Sequence, residues 1–171
     1  MTHITKKDLD KNNFYKEDKI NTNEEITCDE NLGYIKFKKS VITAKSIRLG
    51  LGCGIKAGWG IKAGCGIEAG DGIEAGDGIE AGCGTEAGLS IICKNILKFS
   101  YQLFAGVCTW KKLTKSDLIV ECGKLETDGK IILGNLKEIG NIQENLGIIK
   151  IIDGKKYKLV EDSKGENHDE E

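Results

Sequence analysis

From Gly50 to Gly88 the chain alternates with period two: Ile and Ala take the odd positions from Ile55 to Ala81, while Gly, Lys and Glu take the even ones. That is the pattern of a strand with one buried face. A helix is disfavoured, because each recurring glycine costs it about 1 kcal/mol against alanine. The run is a hexapeptide array, GIKAGW, GIKAGC, GIEAGD, GIEAGD, GIEAGC and GTEAGL, from Gly54 to Leu89. A single straight strand of that length has no core to pack on, so the chain must turn. The Ile-Lys/Glu-Ala triplets read as short strands with Ile and Ala inward and the charge outward, and Gly-x-Gly reads as the corner, where glycine reaches positive φ without strain. The variable corner residues are Trp59, Cys65, Asp71, Asp77, Cys83 and Leu89. The array predicts an all-β fold: a β-solenoid whose stacked coils share one core.

Rung size follows from charge. Three hexads per turn stack Lys56 on Glu74, Lys62 on Glu80 and Glu68 on Glu86, so two of three columns are attractive; two hexads per turn add like-charge steps to both of its columns. A three-sided coil is expected. The odd-position rule continues upstream through Ile35, Phe37, Val41, Ile47, Leu49 and Leu51, and downstream through Ile91, Cys93, Leu97, Phe99, Tyr101, Leu103 and Val107. Over Cys93–Phe104 a helix is also compatible, since Ile92, Ile96, Phe99 and Leu103 share a helical face. Farther on, Thr127-Asp128-Gly129 between Leu118–Glu126 and Lys130–Leu136, and Asp153-Gly154 between Ile148–Ile152 and Lys155–Val160, read as hairpin turns. The expected organisation is a disordered arm over 1–31, the solenoid over 32–110, hairpins over 111–160 and a disordered acidic tail over 161–171. Both ends are rich in charge and poor in apolar groups, which leaves the entropy of ordering unopposed.

Composition narrows the classes. The chain has 171 residues, 23 glycines and no proline, which excludes collagen and proline-rich linkers. No apolar run is long enough to span a bilayer, and Met1–Glu30 lacks a signal-peptide core, so a cytoplasmic setting is expected. Seven cysteines, odd in number and without a C-x-x-C pair, argue for reduced structural thiols rather than a disulfide framework or zinc site. The histidines, His3 and His168, both fall in the polar ends, which leaves no imidazole for a nucleophile pair in the expected body and none for the flank catalysis of left-handed β-helix acyltransferases. The period of six does not match calcium-binding nonapeptides, and the Gly-x-Gly steps lack the strand–loop–helix context of a phosphate loop. No catalytic residue, metal or cofactor is expected.

The net charge of −2 hides blocks. Asn31–Ile67 has seven bases and no acid; Glu68–Gly88 has six acids and no base. The basic block offers Lys36, Lys38, Lys39, Lys56 and Lys62 to nucleic acid or an acidic surface, with Tyr34, Phe37 and Trp59 as candidate stacking residues. The acidic block offers Glu68, Asp71, Glu74, Asp77, Glu80 and Glu86 as a row for a basic protein groove. The plainer reading of both is the solvated face of a repeat.

The run GIEAGDGIEAGDGIEAGCGTEAGLSIIC, followed by LFAGVCTW, resembles small proteins with tandem G-I-x-A-G repeats from bacteria, phages and mobile elements. The likeness covers about residues 46–125; a fainter one is to bactofilin-type polymerising β-helices. The first setting implies a non-enzymatic antagonist of host defence, such as an anti-CRISPR protein that docks on a CRISPR effector with its guide RNA in the bacterial cytoplasm. The second implies a self-assembling scaffold, a homo-oligomer. An enzyme is the least supported class.

Overall fold

A computed structural model describes residues 1–140, 149–152 and 155–158. The repeat folds as its alternation requires. After β1 (Thr2–His3) come six successive strand triplets, each one turn of a three-sided β-solenoid. These are β2 (Ile20–Thr22), β3 (Ile26–Cys28) and β4 (Gly33–Phe37); β5 (Val41–Thr43), β6 (Ile47–Leu49) and β7 (Cys53–Ala57); β8 (Ile61–Ala63), β9 (Ile67–Ala69) and β10 (Ile73–Ala75). Then follow β11 (Ile79–Ala81), β12 (Thr85–Ala87) and β13 (Ile91–Cys93); β14 (Ile96–Phe99), β15 (Gln102–Ala105) and β16 (Ile119–Cys122); β17 (Lys124–Thr127), β18 (Lys130–Leu133) and β19 (Asn135–Glu138).

Three parallel sheets result. The first face is β2-β5-β8-β11-β14-β17, the second is β1-β3-β6-β9-β12-β15-β18, and the third is β4-β7-β10-β13-β16-β19. In the repeat the turn is 18 residues, as the charge columns suggested: Ile55 pairs with Ile73 and Ile73 with Ile91. Upstream, Ile35 pairs with Ile55 across 20 residues, and downstream Ile91 pairs with Val120 across 29. Both extra segments leave the coil at the corner between the second and third faces. The region open to a helix, 93–104, is instead occupied by β13, β14 and β15 with corners between them.

The inward side chains make one continuous core. Ile55, Ile61, Ile67, Ile73 and Ile79 are buried, as are the alanines two positions on. Glycine serves the corners for a reason other than the expected one. Among the described residues from Gly54 to Gly88 none has positive φ. The constraint is stacking: a Cβ on Gly76 would lie 2.0 Å from the Gly58 carbonyl oxygen, and one on Gly82 would lie 2.0 Å from that of Gly64.

Two expectations are corrected. Residues 1–31 are ordered rather than a disordered arm: β1, β2 and β3 join the sheets, and Ile4, Leu9, Ile20, Ile26 and Cys28 are buried. The finished edge of the next turn supplies hydrogen-bond partners, so only a few well-placed apolar groups are needed. The segment 118–136 is no hairpin: β17 and β18 run parallel to β14 and β15 and continue the solenoid. Asp128-Gly129 turns a corner there, and a Cβ on Gly129 would lie 2.2 Å from the Tyr101 carbonyl oxygen, the same close stacking as in the repeat.

Residues Met1–Ile139 form one compact unit and Gly140–Glu171 a second. In the second unit β20 (Ile149–Ile152) pairs antiparallel with β21 (Lys155–Lys158), the expected hairpin. The acidic tail, 161–171, lies outside the described residues. Among the described residues no helix is long and apolar enough to cross a membrane.

Candidate docking surface

Because consecutive hexads fall on successive faces, charge blocks along the chain become belts around the coil. The six acids are therefore not one row. Glu80 is on the first face, Glu68 and Glu86 are on the second and Glu74 is on the third. Asp71 is at the corner between the second and third faces, and Asp77 is at the corner between the third and first. What each charge meets is decided by the turn above and below it.

On the first face the outward column runs Ile42, Lys62, Glu80, Lys98, Glu126. Its signs alternate: Lys62 reaches Glu80 at 2.9 Å and Lys98 reaches it at 3.9 Å. The third face runs Lys36, Lys56, Glu74, Ile92, Glu121, Lys137. Lys56 pairs with Glu74, and Lys137 with Glu121 at 2.6 Å. The like-charged step Lys36–Lys56 is relieved as Lys36 turns to the Asn12 carbonyl at 3.2 Å and sits 5.6 Å from the Phe14 ring centre.

The second face differs. Its column is Thr27, Arg48, Glu68, Glu86, Phe104. Glu68 stacks directly on Glu86, about 4.8 Å away along the sheet. Arg48 lies 3.6 Å from Glu68 but is shared with Glu25 at 3.1 Å. Glu86 has no cation partner among the described residues.

Two grooves flank this column. One, of about 330 Å³, is lined by Arg48, Cys65, Glu68, Cys83, Glu86 and Phe104. The other, of about 310 Å³, is lined by Leu49, Leu51, Glu68, Glu86, Val107 and Trp110. Leu51 is 70% exposed and Trp110 44%. Both are carried by the two extra segments, at the corner that also holds Asp71. The loop bearing Trp110 leaves the coil at Gly106 (φ +89°) and returns through a short 3-10 turn, Lys115–Leu118. Asp117 ties it down: it accepts the Thr114 N–H at 2.8 Å and the Thr114 hydroxyl at 2.7 Å, and pairs with Lys111 at 3.1 Å. These bonds, the backbone one foremost, hold its carboxyl down at about 2. The Trp110 ring seats on bare backbone, 2.9 Å from where a Cβ of Gly88 would be.

The basic candidates are dispersed as well. Lys36 and Lys56 are on the third face and Lys62 on the first. Lys38 and Lys39, at the corner between these faces, both pair with Asp18, at 3.2 and 3.3 Å, and hold its carboxyl below the usual range. Lys36, Lys38, Lys56, Phe14 and Phe37 border a cleft of about 540 Å³. Of the expected stacking aromatics, Phe37 borders it and Tyr34 and Trp59 do not. Phe37 is core, packed on Tyr15 at 5.2 Å between ring centres. Tyr34 lies over Gly54 and Gly72, and burial, with Glu74 and Asp71 nearby, pushes its hydroxyl up to about 12. Trp59 alone of the three is exposed, at 57%.

All seven cysteines are free. Burial pushes Cys28 and Cys93 up to about 12 and Cys122 to about 11, which makes them poor nucleophiles. His3, expected in a disordered arm, belongs to the fold: on β1 its Nδ1 lies 2.9 Å from the Thr27 hydroxyl. Among the described residues no three His, Cys, Asp or Glu side chains are grouped for a metal ion. Leu51 and Tyr101, expected inward by the odd-position rule, are exposed, because they lie at corners rather than on strands; Phe104, Trp110 and Asp117 were not marked as site residues by the sequence, whereas the Glu68–Glu86 column was visible in the 18-residue spacing. Comparison with family models, curated proteins and solved structures finds no match.

Proposed function

We propose that this protein is a non-enzymatic binding protein that docks through its second face on a positively charged surface of a nucleic-acid-handling enzyme. In the setting implied by the repeat resemblance, that enzyme is a CRISPR effector. One observation carries the reading: Glu68 and Glu86 stack without a full cation complement, next to exposed Leu51 and Trp110. Stacked like charges cost the free protein about 0.5 kcal/mol. An arginine or lysine from a partner removes that cost and gains an aromatic ring beside it. The acids that pair within the chain, Glu74 and Glu80, have less to offer. The contact therefore narrows from six acids to Glu68, Glu86 and the corner acid Asp71. The thiol-rich, disulfide-free chain suits a reducing cytoplasm.

The test is binding of the full chain to a purified CRISPR effector–guide complex, with the effector's cleavage rate read in parallel. Glu86→Lys and Trp110→Ala each weaken binding about tenfold or more, and Glu74→Lys by about threefold or less. Equal losses at Glu86 and Glu74 count against the second face. No binding by the wild-type chain removes the CRISPR effector as the target.

A further inference from the structure

The coil brings together thiols that the sequence keeps apart. Cys28 and Cys53 lie 3.4 Å from each other, sulfur to sulfur, and both sulfurs reach the Glu30 carbonyl. Cys93 and Cys122 end the paired strands β13 and β16. These four are buried, away from any oxidant in solution. A third pair differs. Cys65 and Cys83 occupy the same corner, between the first and second faces, on consecutive turns. The Cys83 N–H donates to the Cys65 carbonyl at 3.1 Å, so the two residues stand directly above one another. Cys65 is exposed and Cys83 partly so, and both line the groove beside Glu68 and Glu86.

We propose that Cys65 and Cys83 form a redox site: a low-molecular-weight disulfide such as oxidised glutathione closes them into a disulfide that fastens two turns together, and excess thiol reopens it. Residues stacked on adjacent turns are about 4.8 Å apart, within the Cα separation of about 4.4–6.8 Å that a disulfide spans. The bond also needs the Cβ atoms about 3.8 Å apart, so the two corners must lean together by about 1 Å. Each cysteine is flanked by glycines, Gly64 and Gly66 or Gly82 and Gly84, whose wider range of φ and ψ lets the two Cα–Cβ bonds tilt toward each other. Cys65, the more exposed, attacks as thiolate one sulfur of the small disulfide; that S–S bond breaks, one small thiol leaves and a mixed disulfide forms. Cys83 then attacks the Cys65 sulfur and expels the second small thiol. Two electrons pass from the protein dithiol to the small disulfide, and the two protein protons end on the two released thiols. The site stands whether or not the second face docks on a partner.

The experiment treats the folded, full-length protein with excess oxidised glutathione and blocks the remaining thiols by alkylation. Mass spectrometry then locates the disulfide after cleavage at glutamate, which separates Cys65 from Cys83 at Glu68, Glu74 and Glu80. The expected product is a Cys65–Cys83 disulfide within one chain, with a melting temperature raised by about 5 °C. Excess dithiothreitol is expected to reverse both. Cys65→Ser and Cys83→Ser, at positions open to solvent, are expected to melt like the reduced wild-type chain, to show no rise on oxidation and to retain one bound glutathione. Glutathione on both wild-type cysteines with no bond between them, a disulfide between copies, or oxidation confined to Cys28 and Cys53 overturns the proposal. A Cys65–Cys83 bond that leaves the melting temperature unchanged overturns it as well, because the two turns are then not fastened.

Discussion

The first and second faces are built from the same hexapeptides, yet they treat charge in opposite ways. On the first, Lys62, Glu80, Lys98 and Glu126 alternate, with Lys62 and Lys98 both pairing with Glu80 and Glu126 pairing with Lys124. On the second, Glu68 and Glu86 stack, and the column then runs into Phe104 rather than a base. One turn of this coil is enough to separate a face that satisfies itself from one that needs something from outside. The difference comes from phase alone. With three hexads per turn, the point where Lys changes to Glu falls between different turns on different faces.

The comparison breaks most readily at the glycine corners. Gly88 follows β12 on the second face; a Cβ there would meet the Gly70 carbonyl oxygen at 1.8 Å and the Trp110 ring at 2.9 Å. Gly88→Ala is expected to cost about 3 kcal/mol in urea unfolding and to displace Trp110, seen as a fluorescence shift. Gly60→Ala, at the entrance to the first face, where the nearest contact is 3.3 Å, is expected to cost about 1 kcal/mol or less.

Two buried threonines sharpen it next. Thr43, in the first face, donates its hydroxyl to the Glu24 carbonyl, whereas Thr85, in the second, occupies an isoleucine position with its hydroxyl unpartnered. Thr85→Val is expected to stabilise the protein by about 1 kcal/mol and Thr43→Val to destabilise it by a similar amount. Equal signs in chemical denaturation count against this reading of the core.

Exposed charges give the smaller effects. Glu86→Lys turns the second-face column into an alternating one and is expected to add about 0.5 kcal/mol, while Glu80→Lys stacks three lysines and is expected to remove about 1 kcal/mol. Both differences shrink in high salt. The subtlest effect is in the Trp110 loop. The Asp117 carboxyl sits below its ordinary 3.8, at about 2, so its support is complete above pH 3.8 and is lost as pH falls toward 2. Carbon-detected titration of that carboxyl should give a midpoint near 2, and Thr114→Ala should move it up toward 3.8.

The coil was legible because identical hexads repeat one decision many times: Ile inward, charge outward, corner next. The 18-residue columns also exposed the Glu68–Glu86 stack. The N-terminal cap was not legible, because Ile4, Leu9 and Ile20 are sparse among charges, and a composition average cannot register that they land on a ready-made edge. Asp128-Gly129 misled for a related reason: a sharp turn is compatible with a hairpin and with a solenoid corner, and only the free edge of β15 decides between them. Leu51 and Trp110 line one groove because both extra segments leave at the same corner, and their phase is set by turns of 20 and 29 residues that no repeat announces.

Glu86→Lys, measured once for stability and once for binding to the CRISPR effector–guide complex, bears most directly on the second face as a docking surface. The two results are expected to move in opposite directions, with a higher melting temperature and a loss of binding of about tenfold or more. A variant that melts lower, or that binds as tightly as the wild-type chain, contradicts the account.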